Sequence, residues 1–172
     1  PVADTNNLQS NASDLIKVRE ASTTDAARVI ALPLQDNGNA AGWGHTFQGN
    51  EKAEWEAHPL DTEANKQWRI NKVNEWFTSD LAKAKAGTKA QLKELGRSPS
   101  SANAEGFKDM LTFINFQLGS AWHKPHLNRE GQRVPGFKKA WAGLKRGDKR
   151  ARQGMFRGQT GWVQAVYHLM FQ

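Results

Sequence analysis

Cysteine and long apolar runs are both missing from this sequence of 172 residues. The absence of cysteine excludes disulfide bridges, thiolate metal ligands and a cysteine nucleophile. No stretch approaches the roughly 20 consecutive apolar residues that a membrane-spanning helix needs, so we expect no membrane span. No secretory leader is visible at the start, and the opening at Pro1 rather than Met indicates a chain processed or excised from a longer protein.

Acidic residues are fewer than basic ones, 17 against 24, which gives a formal net charge of +7. A basic surface favours polyanionic partners, of which nucleic acid is the most common. Bacterial cell wall and lipopolysaccharide attract such a surface equally, and solubility alone also accounts for a charge of this size. No RNA-binding signature, zinc finger or helix-turn-helix pattern is present, so we do not expect nucleic acid as the partner.

Helical patterns dominate the sequence, with one region of different texture. A first helix is predicted over 13–20, with Ser13 as its N-cap. Residues 26–47 contain the β-branched run RVIALPL and a turn signal at Asn37-Gly38, which predict a small hairpin or three-stranded sheet. The sequence therefore predicts one α+β domain over 1–172, with a β lobe at about 26–60 and a helical lobe at about 62–172 that also includes the first helix.

The predicted helical lobe contains five helices. Apolar spacing and glycine stops predict that the first two end at Gly87 and Gly96. A third, starting near Pro99, is apolar on most sides and is expected to be the buried central helix. The last two are predicted from Pro135 to Gly147 and around Val163 to Met170, while the segments 48–61 and 128–135 give no clear pattern.

A glycine-rich stretch, LQDNGNAAGWGHT at 34–46, places one carboxylate, Asp36, ahead of three glycines and His45. Such glycines indicate a backbone that turns tightly or lies close to another group. Glu20 ends the predicted first helix shortly before this region. Glycoside hydrolysis uses two carboxylates, one as proton donor and one to position a water or stabilise positive charge. A surface role for Glu20, in which it caps its helix or pairs with Arg19, remains the alternative.

Histidines and tryptophans offer weaker signals. His123 and His126 lie in HKPH, where Pro125 is incompatible with the helical spacing of a zinc pair, and no HExxH motif is present. We expect no metal and no cofactor, with a histidine-based metal-dependent amidase or peptidase as the alternative. Trp43 and Trp55 lie in or near the predicted β lobe, where an aromatic face can stack on a sugar ring or a base.

Several short motifs resemble, in the same order, those of the phage-type lysozymes. LIKVRE, which ends at Glu20, resembles the helix that ends in the family's catalytic glutamate, and GWGH at 42–45 resembles the family's Gly-x-Gly-His. FINFQLG at 113–119 resembles the central-helix motif. GFKKAWAGLKRGD at 136–148 and FRGQTGW at 156–162 resemble later segments of the helical lobe.

The resemblance implies a lysozyme-like α+β fold, with a small β lobe and a larger, mainly helical lobe around one cleft. It implies that Glu20 is the proton donor and that Asp36 positions the attacking water. The implied activity is that of a muramidase, which cleaves peptidoglycan between N-acetylmuramic acid and N-acetylglucosamine. The residues that it places at the substrate are Gly42, Trp43, His45, Phe116, Gln117 and Gln159.

The sequence departs from the family pattern near these residues. Ala21 follows Glu20 where the family has glycine. Ala40 or Ala41 stands where the family's catalytic threonine is expected, and Val163 where its arginine is expected. Two alternatives therefore remain: a lytic transglycosylase, which uses a glutamate alone and forms a 1,6-anhydro sugar, and a non-catalytic cell-wall-binding module.

The resemblance also implies a partner and a location. The expected partner is bacterial peptidoglycan, and the isolated domain is expected to be a monomer, as part of a larger phage structural protein. The implied location is a phage virion, with bacteriolytic action on the cell wall in the periplasm, as for an endolysin. The positive charge then holds the acidic wall, and salt should screen this attraction.

Overall fold

The computed structural model describes residues 12–96, 104–128, 130–138, 141, 142 and 145. Helices dominate these residues and two small two-stranded sheets accompany them, so the predicted α+β class is confirmed at this coarse level. The chain forms two compact units, the first Ser13–Ala82 and the second containing Ala12 and the described residues from Lys83 onward. The division falls inside a helix, whereas the sequence places a lobe boundary near residue 61.

The two units differ in their secondary structure. The elements of the first unit, in chain order, are α1 (Ala12–Ala21), α2 (Ala26–Val29), β1 (Ala40–Ala41), β2 (His45–Thr46), α3 (Glu51–Glu56) and the first part of α4 (Glu63–Glu94). The second unit contains the rest of α4, then α5 (Ala104–Leu118), β3 (His126–Leu127) and β4 (Arg133–Val134). The predicted first helix therefore lies in the same unit as the β1–β2 hairpin.

The segment after α1 is helical where the sequence predicts a strand. That prediction, from RVIALPL, is wrong, because Asp25 caps a short helix: its carboxylate accepts a hydrogen bond from the N–H of Ala27 at 2.9 Å. An N-terminal cap of this kind satisfies a backbone donor that a helix otherwise leaves unpaired. Val29 and Ile30 are then buried, 1% and 4% exposed, so the apolar run serves the core from a helical turn.

The predicted hairpin is confirmed in a shorter form. β1 and β2 are antiparallel, with Ala40 opposite Thr46 and Ala41 opposite His45. A single bridge from Gln35 to Ala40 extends the pairing, in place of a third strand. The predicted turn at Asn37-Gly38 belongs to a short 3-10 turn, Asp36–Gly38, and Asp36 and Asn37 have φ values of 52° and 55°.

Helix α4 does not end at Gly87 as the sequence predicts, but continues to Glu94. Glycine in a helix interior costs about 1 kcal/mol relative to alanine, which is too little to break a helix held by packing. The structure gives this glycine a packing role, because a Cβ built on Gly87 would lie 2.6 Å from Cβ of Ser120 and 3.2 Å from Nδ2 of Asn115. Hydrogen at this position lets the two chain segments approach.

Helix α5 is the buried helix that its apolar composition predicts. Its largest buried side chains, all 0% exposed, are Met110, Leu111, Phe113 and Ile114. On the same helix, the buried amide of Asn115 donates to Oγ1 of Thr88 at 3.1 Å and to Oε1 of Gln91 at 2.9 Å. Its oxygen accepts from Nε2 of Gln91 at 2.8 Å and from Nε1 of Trp122 at 3.0 Å. A buried amide satisfied in this way fixes the register of α5 against the second part of α4.

Two segments without a clear sequence pattern are ordered elements. Residues 51–56 form α3, and β3 pairs with β4 so that His126 lies opposite Val134. Part of the helix predicted from Pro135 is also seen, since the N–H of Trp141 donates to the carbonyl of Phe137 at 3.0 Å. The end of that helix at Gly147, the last predicted helix and the motif at 156–162 lie outside the described residues.

The packing role of Gly87 predicts that Gly87→Ala lowers stability. Helix propensity alone would raise it by about 1 kcal/mol, but the added methyl meets Ser120, and overpacking typically costs roughly 1–3 kcal/mol. Urea unfolding should therefore show a lower free energy of unfolding for Gly87→Ala. Ser120→Gly should restore part of the loss in the double variant. A simple gain in stability from Gly87→Ala would contradict the packing assignment.

Candidate functional site

The turn that joins β1 to β2, formed by Gly42, Trp43 and Gly44 and called here the hairpin turn, lies against two other elements. Both glycines have positive φ, 64° and 80°. A Cβ on Gly42 would lie 2.9 Å from Cγ1 of Val73 in α4, and one on Gly44 would lie 2.6 Å from Oε2 of Glu20 in α1. Backbone conformation and space therefore both require glycine at these positions, and the Glu20 carboxylate lies directly against the hairpin turn.

Trp43 ties the hairpin turn to the segment that follows α1. Its ring is 2% exposed, and Nε1 donates to the carbonyl oxygen of Thr23 at 2.8 Å. Lys17 Nζ lies 4.1 Å from the centroid of the ring, and Phe77 makes an edge contact at 5.4 Å between centroids. The ring therefore presents no open face to a sugar, and the same holds for Trp55, which is 3% exposed.

Asp36 is exposed and begins the 3-10 turn at the base of the hairpin. The residue before it anchors this turn, because Nε2 of Gln35 donates to the carbonyl of Gly42 at 3.3 Å and its backbone exchanges hydrogen bonds with Ala40 at 2.9 and 3.0 Å. The hairpin turn therefore contacts Glu20 directly and contacts Gln35, the residue before Asp36, by a hydrogen bond.

His45 is held between two carboxylates. Its Nδ1 lies 2.8 Å from Oδ2 of Asp80 in α4, and its Nε2 lies 2.9 Å from Oε2 of Glu51 in α3. The ring also stacks on Trp76, with 4.5 Å between centroids and 10° between planes. Two acceptors on two ring nitrogens are satisfied only by the doubly protonated imidazolium, so this geometry favours His45 as a cation.

The electrostatics of this cluster follow from burial and hydrogen bonding. Burial disfavours the charged ring, but the hydrogen bonds to Asp80 and Glu51 outweigh it and raise the pKa of His45 above its ordinary value. Burial likewise opposes ionisation of Glu51, yet hydrogen bonds from His45 and from the N–H of Gln48 lower the pKa of that carboxyl. Trp76 Nε1 donates to its other oxygen at 3.1 Å. His45 is therefore a structural cation in the described site, rather than a base.

Glu51 and Asp80 are the residues that the sequence reasoning missed. Asp80 carries a usable signal, because it falls on the apolar stripe of α4 with Val73, Trp76 and Phe77, where a lone carboxylate calls for a partner. Glu51 carries none, since its segment shows no periodicity.

Position 40 is an alanine where the resemblance to phage-type lysozymes leads us to expect a threonine. Ala40 is 3% exposed and has no hydroxyl to offer. Thr46, directly opposite in the β1–β2 pair, is partly exposed. Opposite residues of an antiparallel pair project from the same face, so a hydroxyl lies across the strand from Ala40.

The remaining residues predicted to bind substrate lie in the second unit or outside the described residues. Phe116 and Gln117 are half-buried near the end of α5. Gln159 lies outside the described residues. The structure therefore associates Glu20, Asp36, Gly42, Trp43 and His45 within the first unit.

The histidine-based alternative concerns side chains that could hold a metal ion. No group of three or more His, Asp or Glu side chains there is placed to hold a metal ion. His126 directs Nδ1 to the carbonyl of Lys124 at 2.8 Å, and His123 is buried against Trp141, with 4.1 Å between ring centroids. Within the same residues, no helix is long and apolar enough to cross a membrane.

Comparison of the chain with protein-family models, with curated proteins and with solved structures gives no match. The resemblance to phage-type lysozymes therefore rests on the ordered motifs of the sequence alone.

The contacts that hold His45 between Asp80 and Glu51, called here the clamp, predict that the stability of the protein depends on pH. A raised pKa means that the stabilisation is fully present below the ordinary value of 6.5 and is lost as pH rises through the higher value in the folded state. The free energy of unfolding in urea should therefore fall as the pH rises above 6.5, by roughly 1.5–3 kcal/mol in all, which is typical of hydrogen bonds to charged groups.

The His45→Gln variant should be less stable at low pH and should lack this fall. His58→Gln is the matched control, because His58 Nδ1 faces the carbonyl of Glu54 rather than a carboxylate. Parallel pH curves for the wild type and His45→Gln would contradict the clamp.

Proposed function

We propose that the chain is a peptidoglycan-degrading glycoside hydrolase, a muramidase that cleaves the bond between N-acetylmuramic acid and N-acetylglucosamine. The observation that carries the proposal is the contact of the Glu20 carboxylate with the hairpin turn at Gly44. The last turn of a helix thereby holds a carboxylate against the glycine-rich turn of a hairpin. Glu20 is proposed as the general acid that protonates the leaving oxygen.

Asp36 is proposed to position the attacking water. Its exposure leaves it accessible to solvent and substrate, and its backbone is tied to the hairpin turn through Gln35. An inverting reaction would follow if the two carboxyl groups stand about 6.5–9.5 Å apart with the water between them.

The alternative activity is that of a lytic transglycosylase. It is favoured by one observation, the buried alanine at position 40, which supplies no hydroxyl to help Asp36 hold a water. In that reaction a hydroxyl of the substrate attacks in place of water and yields a 1,6-anhydro product, while Glu20 keeps its role as the acid.

The wider proposal follows from the sequence resemblance. It comprises a lysozyme-like fold with a small β lobe and a larger helical lobe around one cleft, with Phe116, Gln117 and Gln159 at the substrate. It also comprises a monomeric domain of a phage virion protein that acts on the wall in the bacterial periplasm. The net charge of +7 suits an acidic wall.

The first test replaces the proposed acid. Glu20→Gln keeps the shape of the side chain but cannot donate a carboxylic proton, so release of muropeptides from purified peptidoglycan should fall by roughly 10²–10⁴. Mass spectrometry of the products distinguishes the mechanisms. Reducing-end muropeptides, lost in the variant, indicate a muramidase and 1,6-anhydro muropeptides a transglycosylase. If the wild type leaves the peptidoglycan intact, the proposed catalysis is wrong and the alternative of a non-catalytic wall-binding module is favoured.

A second test uses two glycines of positive φ. Gly44→Ala places a methyl against the Glu20 carboxylate, whereas a Cβ on Gly49, with φ of 53°, meets nothing within 4 Å. Both variants should lose about 1 kcal/mol or more of stability from backbone strain. Only Gly44→Ala should also lower muropeptide release at least tenfold under conditions in which both proteins are folded. Equal activity of the two folded variants would show that the contact with Gly44 does not position the acid.

A further inference from the structure

In the second part of helix α4, all exposed charged residues before Glu94 are lysines. Between residues 83 and 93 its exposed residues are Lys83, Lys85, Ala86, Lys89, Ala90 and Lys93. Lys85, Lys89 and Lys93 are spaced by four residues, so their ammonium groups lie along one side of the helix over about 12 Å. We call these three residues the lysine face.

The rest of the same helix is built differently. In its first part, Lys66 pairs with Glu63 at 2.8 Å and Lys72 with Glu75 at 3.7 Å, each three residues apart. Opposite charges at such spacing stabilise a helix, and like charges at a spacing of four residues destabilise it. The lysine face therefore destabilises the helix. In the first part of the same helix, by contrast, glutamates pair with two of the lysines.

The nearest carboxylate along the chain is already engaged. Glu94 follows Lys93 directly, but its Oε2 lies 3.3 Å from Nζ of Lys124 and 3.8 Å from Nε2 of His123. Within the described residues, none of the three lysines of the lysine face forms an ion pair. No described carboxylate neutralises the face, so its ammonium groups are available to an external polyanion.

The residues between the lysines narrow the class of partner. Ala86 and Ala90 are the exposed neighbours, so the face offers no aromatic ring on which a nucleotide base could stack. It also lacks the large apolar side chains with which an interfacial helix enters a membrane. Small side chains between ammonium groups suit close approach of a flexible polymer whose negative charges recur along its length.

We propose that the lysine face binds the carboxylates of the peptidoglycan stem peptides and holds the protein on its polymeric substrate. This inference rests on the proposed function, because it assigns the face to the same polymer. Affinity for the wall should then depend on these lysines more than on the net charge, and salt should weaken it as the Debye length shortens from about 8 Å at 0.15 M to about 3 Å at 1 M.

The test measures co-sedimentation with purified sacculi free of teichoic acid, in the Glu20→Gln background so that the polymer stays intact. Lys85→Gln/Lys89→Gln should weaken binding roughly 30-fold at low salt, since each lysine near an anionic surface contributes roughly fivefold to affinity. The matched control is Lys66→Gln/Lys72→Gln, which removes the same charge from paired positions and should change affinity less than twofold. Sacculi with chemically amidated carboxylates should bind the parent protein as weakly as intact sacculi bind the first variant.

Equal losses in the two variants would reduce the effect to net charge and overturn the proposal, as would unchanged binding in both. Tighter binding to duplex DNA than to sacculi, with the same dependence on Lys85 and Lys89, would overturn it in favour of a nucleic-acid partner. Circular dichroism checks the fold, since lysine and glutamine have similar helix propensities. Muropeptide release by the wild type is measured separately. If the protein binds sacculi through the lysine face but releases no muropeptides, the proposed catalysis is refuted and the binding proposal stands.

Discussion

The first unit depends on the ion-pair cluster around His45. This residue lies in β2, and its two ring nitrogens contact Glu51 of α3 and Asp80 of α4, while its ring stacks on Trp76. The β1–β2 hairpin has only two residues in each strand, and an isolated hairpin of that size is not stable in water. The charged, stacked side chain supplies the attachment that the short backbone ladder cannot, and so it holds the hairpin turn in place.

The position of Glu20 follows from that attachment. Once the hairpin is fixed to α4, the hairpin turn lies against Val73 on one side and against the end of α1 on the other. The indole of Trp43 reaches the carbonyl of Thr23 and ties the turn to the chain just beyond the carboxylate. Trp43 therefore has a structural role. Its buried ring sets the distance between the end of α1 and the hairpin turn, and it is not available to stack on a sugar.

Local patterns account for most of what could be predicted from the sequence. Helix α5 is apolar on most sides, so its burial is predictable, and Asn37-Gly38 identifies the turn at the base of the hairpin. The errors have physical causes. The cap from Asp25 outweighs the β propensity of the run that follows, and Gly87 serves a tertiary contact with Ser120 that only the fold reveals. The partners of His45 are equally out of reach, because Asp80 lies 35 residues away along the chain.

The contacts within the His45 cluster decide which side chains near the hairpin can take part in proton transfer. A general base needs a free lone pair, and both nitrogens of His45 face carboxylates, so this ring cannot accept a proton while the cluster is intact. Glu51 is bound to His45, to Trp76 and to a backbone N–H, which stabilises its anion and makes it a poor proton donor. The acid of the proposed reaction must therefore come from outside this cluster. Glu20, at a helix end against the hairpin turn, is the carboxylate that we propose for that role.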